Sequence, residues 1–210
     1  MDHRVRIGYL SKYPEAVANL GGDPKSLSQR CNILFETFED EDNTILYSQV
    51  IDLMELTAYH LRKPDFGLYL GSLQKIDALG PISVALKRSE SVNQAIQCIA
   101  QLIHIQSPAI HIHVDENDPD CVKIIIDIIT SDLSHQDMLQ NVGLTLTSCQ
   151  EILRQLIGAQ FKLLKIEIPH DLMFSSTKYS DYFDSDIEFN SESMAWHIPK
   201  DMFNLPLSLS

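Results

Sequence analysis

Apolar residues recur at helical spacing through most of the first half of the chain and at strand spacing through much of the second. Leu46, Val50, Leu53, Met54 and Thr57 fall on or near one face of a helix expected from about Ile45 to Leu61. Another long helix is expected to open at Glu90-Ser91, with Val92, Ala95, Ile96, Ile99, Ala100 and Ile103 three and four positions apart. Ser107-Pro108 stops it, and the pattern changes to strict alternation: Ile110, Ile112 and Val114 against His111, His113 and Asp115. Asn117-Asp118-Pro119-Asp120 has turn composition, and the β-branched run from Cys121 to Thr130 supplies the partner of an antiparallel hairpin. From about Ser134 to Gly158 the helical period returns, with Met138, Val142, Leu146, Cys149, Leu153 and Leu156 in one stripe able to cover a sheet face. Phe161–Ile168, Asp186–Asn190 and Met194–Ile198 read as further strands.

Local signals fill in the joints. Pro14 opens a short helix that Gly21-Gly22 closes, and Asp23-Pro24 caps and starts the next. The acidic run Glu39-Asp40-Glu41-Asp42-Asn43-Thr44 reads as a solvated loop feeding the positive end of the following helix. Gly67 and Gly71 read as turn glycines. The order of elements predicts an α+β fold: a helical N-terminal half followed by a small antiparallel sheet covered by a long helix, since no β-α alternation forces parallel crossovers. A single domain is expected over residues 1–207, with a helical part at 13–106 and an α/β part at 107–207.

Composition is that of an ordinary globular protein, 44% hydrophobic and 21% charged over 210 residues, but its charge is not. Sixteen Lys+Arg against 29 Asp+Glu give a formal net charge of −13, with no basic cluster. Phosphate backbones and anionic membranes both call for a basic surface, so neither DNA nor membrane binding by this stretch is expected. Cys31, Cys98, Cys121 and Cys149 lack the spacing of a zinc site and read as reduced structural thiols. The N-terminus carries no secretory pattern and no run is long and apolar enough to span a membrane, so a cytoplasmic location is expected.

Candidate chemistry is sparse. His111, His113 and Asp115 share one face of a strand, open to a metal site, a polar outer face or a pocket wall. The remaining histidines are scattered, with no nucleophile elbow, H-E-x-x-H, P-loop or dinucleotide fingerprint, so no catalytic residue, metal or cofactor is assigned. Lys87-Arg88 suits either a helix C-terminus or the anchoring of an anionic ligand. Ser148 to Gly158 loosely imitates a DNA-reading helix–turn–helix core, but its apolar stripe continues that of the preceding turns and few basic residues surround it.

Longer patterns carry a family resemblance. Arg62-Lys63-Pro64-Asp65-Phe66-Gly67-Leu68-Tyr69-Leu70-Gly71, then Gly80-Pro81-Ile82-Ser83-Val84-Ala85-Leu86, then Ser91-Val92-Asn93-Gln94-Ala95-Ile96 follow one another in order. Near the other end come Ile166-Glu167-Ile168-Pro169-His170, Tyr179-Ser180-Asp181-Tyr182-Phe183, Ile187-Glu188-Phe189-Asn190 and Trp196 to Leu207. The succession resembles the N-terminal effector-binding domain of AraC-type transcription regulators, over about Tyr13 to Leu207. Arg62-Lys63-Pro64 stands where that family has Gly-Asp-Pro, a departure that touches turn geometry.

The resemblance implies a ligand-sensing, dimerising regulatory domain rather than an enzyme. It implies a small-molecule effector, a homodimer, and DNA contact only through a C-terminal helix–turn–helix domain, with 208–210 as the start of its linker. A pocket between the two halves would draw its polar and aromatic groups from His60, Phe66, Tyr69, Arg88, His104 and His113, which interrupt apolar elements. The competing readings are a dimerisation or protein-binding module without an effector, and a small cytosolic enzyme built on one of the histidines.

Overall fold

A computed structural model describes residues 3–130 and 133–208 of the chain. Proline and glycine punctuate its helical half. Helix α1 (Tyr13–Asn19) carries Pro14 in its first turn, and Gly21 leaves it in the left-handed region at φ +78°. Asp23 caps α2 (Pro24–Arg30), its Oδ1 accepting from the Lys25 and Ser26 N–H groups at 3.0 and 3.1 Å.

Helix α3 runs Tyr47–His60, two residues shorter at its start than the apolar pattern suggests. Thr44–Leu46 (β2) is drawn into an antiparallel pair with Arg4–Arg6 (β1) instead. The acidic loop therefore serves tertiary structure: Asp42 pairs with Arg6, while Gln49 Oε1 satisfies the Leu46 N–H at 3.0 Å. At the other end of α3, Arg62 sits at φ +52° and the Lys63 N–H reaches back to Ala58 O at 2.9 Å. That is the left-handed closure that glycine favours.

The expected glycine turn is a helix, α4 (Phe66–Ser72). Its two glycines stand four apart on one face, and their role is close approach rather than positive φ. A Cβ at Gly67 would lie 2.0 Å from Gln140 O, and one at Gly71 2.0 Å from Thr147 Oγ1 and 2.5 Å from Leu144 O. The partner is α7 (Leu139–Ile157), whose Gly143 faces Leu68. Polar bonds lock the seam: Gly67 N–H donates to Gln140 Oε1 at 2.8 Å, and Thr147 Oγ1 to Leu68 O at 2.9 Å.

Helices α5 (Pro81–Leu86) and α6 (Val92–Gln106) follow, the second capped by Ser91, whose Oγ accepts from the Gln94 N–H at 3.2 Å. The hairpin is β3 (Ile110–Asp115) with β4 (Cys121–Ile128), Ile112 opposite Ile126. Strands β5 (Lys165–Ile168), β6 (Asp186–Phe189) and β7 (Met194–Pro199) complete a five-stranded sheet of order β3-β4-β7-β5-β6. One pairing departs from the antiparallel expectation. β5 and β6 are parallel, because the intervening chain crosses back through α8 (Ser176–Ser180). Tyr179 anchors that crossover, stacking on Phe174 at 4.4 Å and edge-on to Phe189 at 5.0 Å. Helix α9 (Lys200–Phe203) then packs against β4 and β7.

Alternation along the strands buries Val122, Ile124, Ile126, Ile166 and Trp196 on one face of the sheet. Helix α6 lies along β3, and α7 faces the same side across a cavity. Ser148 to Gly158 is the end of α7 and the turn after it, as the continuous apolar stripe requires, with Gly158 at φ +76°. The linker expected at 208–210 lies, beyond Ser208, outside the described residues.

Candidate ligand-binding site

Where α6, α7 and the inner face of β3 and β4 fail to meet, a cavity of about 90 Å³ remains. Helix α6 contributes Ile96, Ile99 and Ile103; the strands contribute Ile110, Ile112, Ile124 and Ile126; and α7 contributes Thr145, Ser148, Cys149, Ile152 and Leu153. Tyr9, Gln74, Ala78, Leu79 and Gln106 close it. The isoleucines are the same apolar stripes that build the core, so the cavity is a gap in an otherwise continuous interior. Ile112, Cys149 and Ile152 are only half-buried.

The few polar groups in this wall divide into two sets. One set is satisfied. Tyr9 OH bonds Thr145 Oγ1 at 2.8 Å and Asn141 Oδ1 at 3.3 Å, and Asn141 Nδ2 donates to Tyr47 OH at 2.6 Å. Burial pushes the Tyr9 phenol up to about 12, against the lowering effect of its hydroxyl partners, so it stays neutral. Gln106 accepts from Arg6 Nη1 at 2.7 Å and donates to Ala78 O at 3.2 Å. The other set is not satisfied: Gln74 Nε2 and Ser148 Oγ are buried and have no hydrogen-bond partner among the described residues. Gln74 is 3% exposed, and its Oε1 is already engaged by Ser11 Oγ at 3.0 Å.

The six residues expected to line a pocket are elsewhere. His60 is exposed at the end of α3, in an open surface depression of about 620 Å³ shared with Glu55, Tyr59 and Arg62. Larger though it is, that depression is wide and solvated, so it would strip little apolar surface from a ligand. Phe66 is fully buried, edge-on to Tyr13 at 6.1 Å, and Tyr69 is half-buried beneath the Lys63 ammonium at 5.1 Å. Arg88 is exposed just past α5, His104 lies on the solvent face of α6, and exposed His113 stands 3.8 Å from Asp127 on the outer face of the sheet. The structure brings none of the six to the wall of the cavity. The groups that do reach it, Gln74 and Ser148 above all, left one trace in the sequence: small or amide residues interrupting apolar stripes.

A second arrangement escaped the sequence because three separate strands supply it. Cys121 Sγ lies 3.9 Å from His197 Nδ1, and His197 Nε2 lies 2.8 Å from Glu167 Oε1. The order matches a nucleophile–base–carboxylate relay, but the thiol is not activated. Burial first, and the Asp118 carboxylate next, push it above its ordinary value. Glu167 is instead the node of an ion cluster, reached by Lys123 Nζ at 2.8 Å and Lys165 Nζ at 3.5 Å. Burial works against its charge, yet the bonds from Lys123 and His197 prevail and hold it below the usual glutamate range. Among the described residues no cluster of three His, Cys, Asp or Glu side chains could hold a metal ion. None of the helices described is long and apolar enough to cross a membrane.

Comparison with known proteins decides the family. The sequence pattern of the arabinose-binding N-terminal domain of AraC transcription regulators matches residues 21–207. The chain belongs to that family. Among curated relatives, the HTH-type transcriptional regulator VirS of Mycobacterium tuberculosis is 22% identical over 186 residues, in strain CDC 1551 / Oshkosh and equally in strain ATCC 25618 / H37Rv. The match covers 88% of this chain but 54% of VirS, so the chain spans about half the length of the curated relatives it matches. Among solved structures, the transcriptional regulator CdpR of Pseudomonas aeruginosa shares the fold, with a TM-score of 0.67 at 20% identity over 92% of this chain and 56% of CdpR. Asp65 lies within the motif that carried the resemblance. It accepts from Lys63 at 3.0 Å, Lys178 at 3.3 Å and Tyr182 OH at 3.0 Å, tying the start of α4 to the β5–β6 crossover.

Proposed function

We propose that these 210 residues are the ligand-sensing and dimerising domain of an AraC-type transcription regulator, working in the cytoplasm, without enzymatic activity, and acting on DNA through a separate helix–turn–helix domain. The observation that carries this reading is the apolar cavity between α6, α7 and the sheet, with two partnerless polar atoms in its wall. Its position supports a switching role. Helix α7 forms one wall, and it is also the helix against which α4 is seated and to which Tyr9 and Tyr47 are bonded through Asn141. A ligand that fits one placement of α7 better than another would shift the balance between them and carry the change to the helical half. The net charge of −13 supports DNA contact through another domain rather than through this one.

Two measurements on the 210-residue chain test this. A thermal-shift screen of small molecules should yield compounds that raise the melting temperature, because a ligand bound only to the folded state stabilises it. Sedimentation with such a compound should show a change in self-association. Failure of every compound to stabilise the protein, together with a concentration-independent monomer, would replace the sensing reading with a module that binds another protein. Submicromolar, salt-dependent binding of the chain to duplex DNA would overturn the assignment of DNA contact elsewhere.

A further inference from the structure

Resting on the reading of the cavity as the effector site, we infer that its ligand is a small, uncharged, mainly apolar molecule carrying one hydrogen-bond acceptor, such as a ketone or amide carbonyl. A sugar and an organic anion are both excluded by the same wall. Eight isoleucines line the cavity, and no lining residue is charged. The Arg6 guanidinium, which bonds Gln106 of that wall, is committed to Gln106 and Asp42. A carboxylate brought here would lose its hydration with no cation to replace it, a cost of several kcal/mol.

A pentose fails for a different reason. It would bury four or more hydroxyls, each costing about 1–3 kcal/mol if left unpaired. The wall offers Gln74 Nε2 and Ser148 Oγ as its unpartnered polar atoms. The hydroxyls of Tyr9 and Thr145, the Gln106 amide and the Gln74 Oε1 are engaged by neighbouring groups. The residues that carry them, Gln74 and Ser148, both neighbour Gly71, at the end of α4 that lies against α7. The Gln74 N–H bonds Gly71 O at 3.1 Å, and a Cβ on Gly71 would stand 3.0 Å from the Ser148 backbone N. One acceptor atom directed to that end satisfies donors that otherwise remain buried and unpaired, while the remainder of the ligand lies among isoleucines.

Size sets the scale of the probe. A cavity of about 150 Å³ admits the six carbons of benzene, so about 90 Å³ holds roughly four non-hydrogen atoms, and a five-membered ring enters only as the half-buried wall at Ile112 and Ile152 gives way.

The eight lining isoleucines make the test direct. The δ1 methyl groups of isoleucine are labelled in the 210-residue chain and followed by NMR on titration with cyclopentanone, cyclopentane, cyclopentanecarboxylate and L-arabinose. Cyclopentanone should shift the methyls of Ile99, Ile103, Ile124 and Ile126 at the lowest concentration, with cyclopentane several-fold weaker and the carboxylate and the sugar weaker by tenfold or more. Ser148→Ala and, independently, Gln74→Leu should each reduce the preference for cyclopentanone over cyclopentane by about two- to tenfold, the worth of one hydrogen bond. Either variant suffices if the other fails to fold. Equal or tighter binding of the carboxylate or of arabinose at these methyls overturns the ligand class while leaving the cavity as the site. Cyclopentanone and cyclopentane both leaving every one of the eight methyls unmoved overturns the cavity itself.

Discussion

A methyl group added at Gly67 sets two effects of opposite sign against each other. Gly67 lies in the first turn of α4, where its φ is negative, so Gly67→Ala should by helix propensity alone stabilise the protein by at most about 1 kcal/mol. The new carbon, however, would stand 2.0 Å from Gln140 O, 2.7 Å from Gln140 C and 2.9 Å from its Cα. All three are backbone atoms of α7 and cannot rotate away. Relief requires α4 and α7 to separate by about an ångström, and overpacking on that scale costs roughly 1–3 kcal/mol. Separation also stretches bonds that span the seam: Gly67 N–H to Gln140 Oε1, Gln140 Nε2 to Pro64 O at 2.8 Å, and Thr147 Oγ1 to Leu68 O. These are worth about 1 kcal/mol each. The clash outweighs the propensity gain, for a net loss of about 3 kcal/mol. In a chain of this length that lowers the melting temperature by about 6–12 °C. Gly143→Ala is the internal comparison. Its Cβ would meet the Leu68 N at 3.1 Å, so a shift of a few tenths of an ångström suffices and the loss should be smaller. The assay is thermal unfolding of the three proteins followed by circular dichroism. An unchanged or raised melting temperature for Gly67→Ala would refute close helix contact as the reason for the glycine.

Leu146→Asp should destabilise by more than about 4 kcal/mol, because Leu146 is wholly buried on α7 and the carboxylate would have no partner; a soluble, normally melting variant would show that this face is not in the core. Glu167 has a lowered folded-state value, so its contribution to stability is present above the ordinary glutamate range and is lost as pH falls through the folded value. Glu167→Gln should therefore melt lower at pH 7, with the gap to the parent closing below about pH 4, and a gap that widens with acid would contradict the ion cluster. Arg62→Gly should raise stability by up to about 1 kcal/mol, read as a melting temperature higher by a few degrees, because it places the residue without a Cβ at φ +52°; a lower melting temperature would show that the Arg62 side chain contributes more than its backbone strain costs.

Periodicity alone located α6, α7 and the β3–β4 hairpin to within a few residues, because each buries one face against a common core and so repeats at 3.6 or at 2. The cap at Asp23 was equally legible, being local hydrogen bonds written in adjacent residues. The resemblance in motif order named the family before any contact was known. Other features depend on what comes alongside. Strand β2 exists because Arg4–Arg6 lies against it, the parallel β5–β6 pair because α8 docks through Tyr179, and helix α4 because Gly67 and Gly71 admit the backbone of α7. The candidate site belongs wholly to this second kind. Histidines and an arginine that interrupt apolar stretches attract notice in a sequence, yet in the folded chain His60, Arg88, His104 and His113 lie on the surface. A cavity is an absence of packing among residues that all read as core, and an unpaired Gln74 or Ser148 is defined by neighbours that are missing. One-dimensional order records which residues avoid water, but the gaps they leave when they meet are set only in three dimensions.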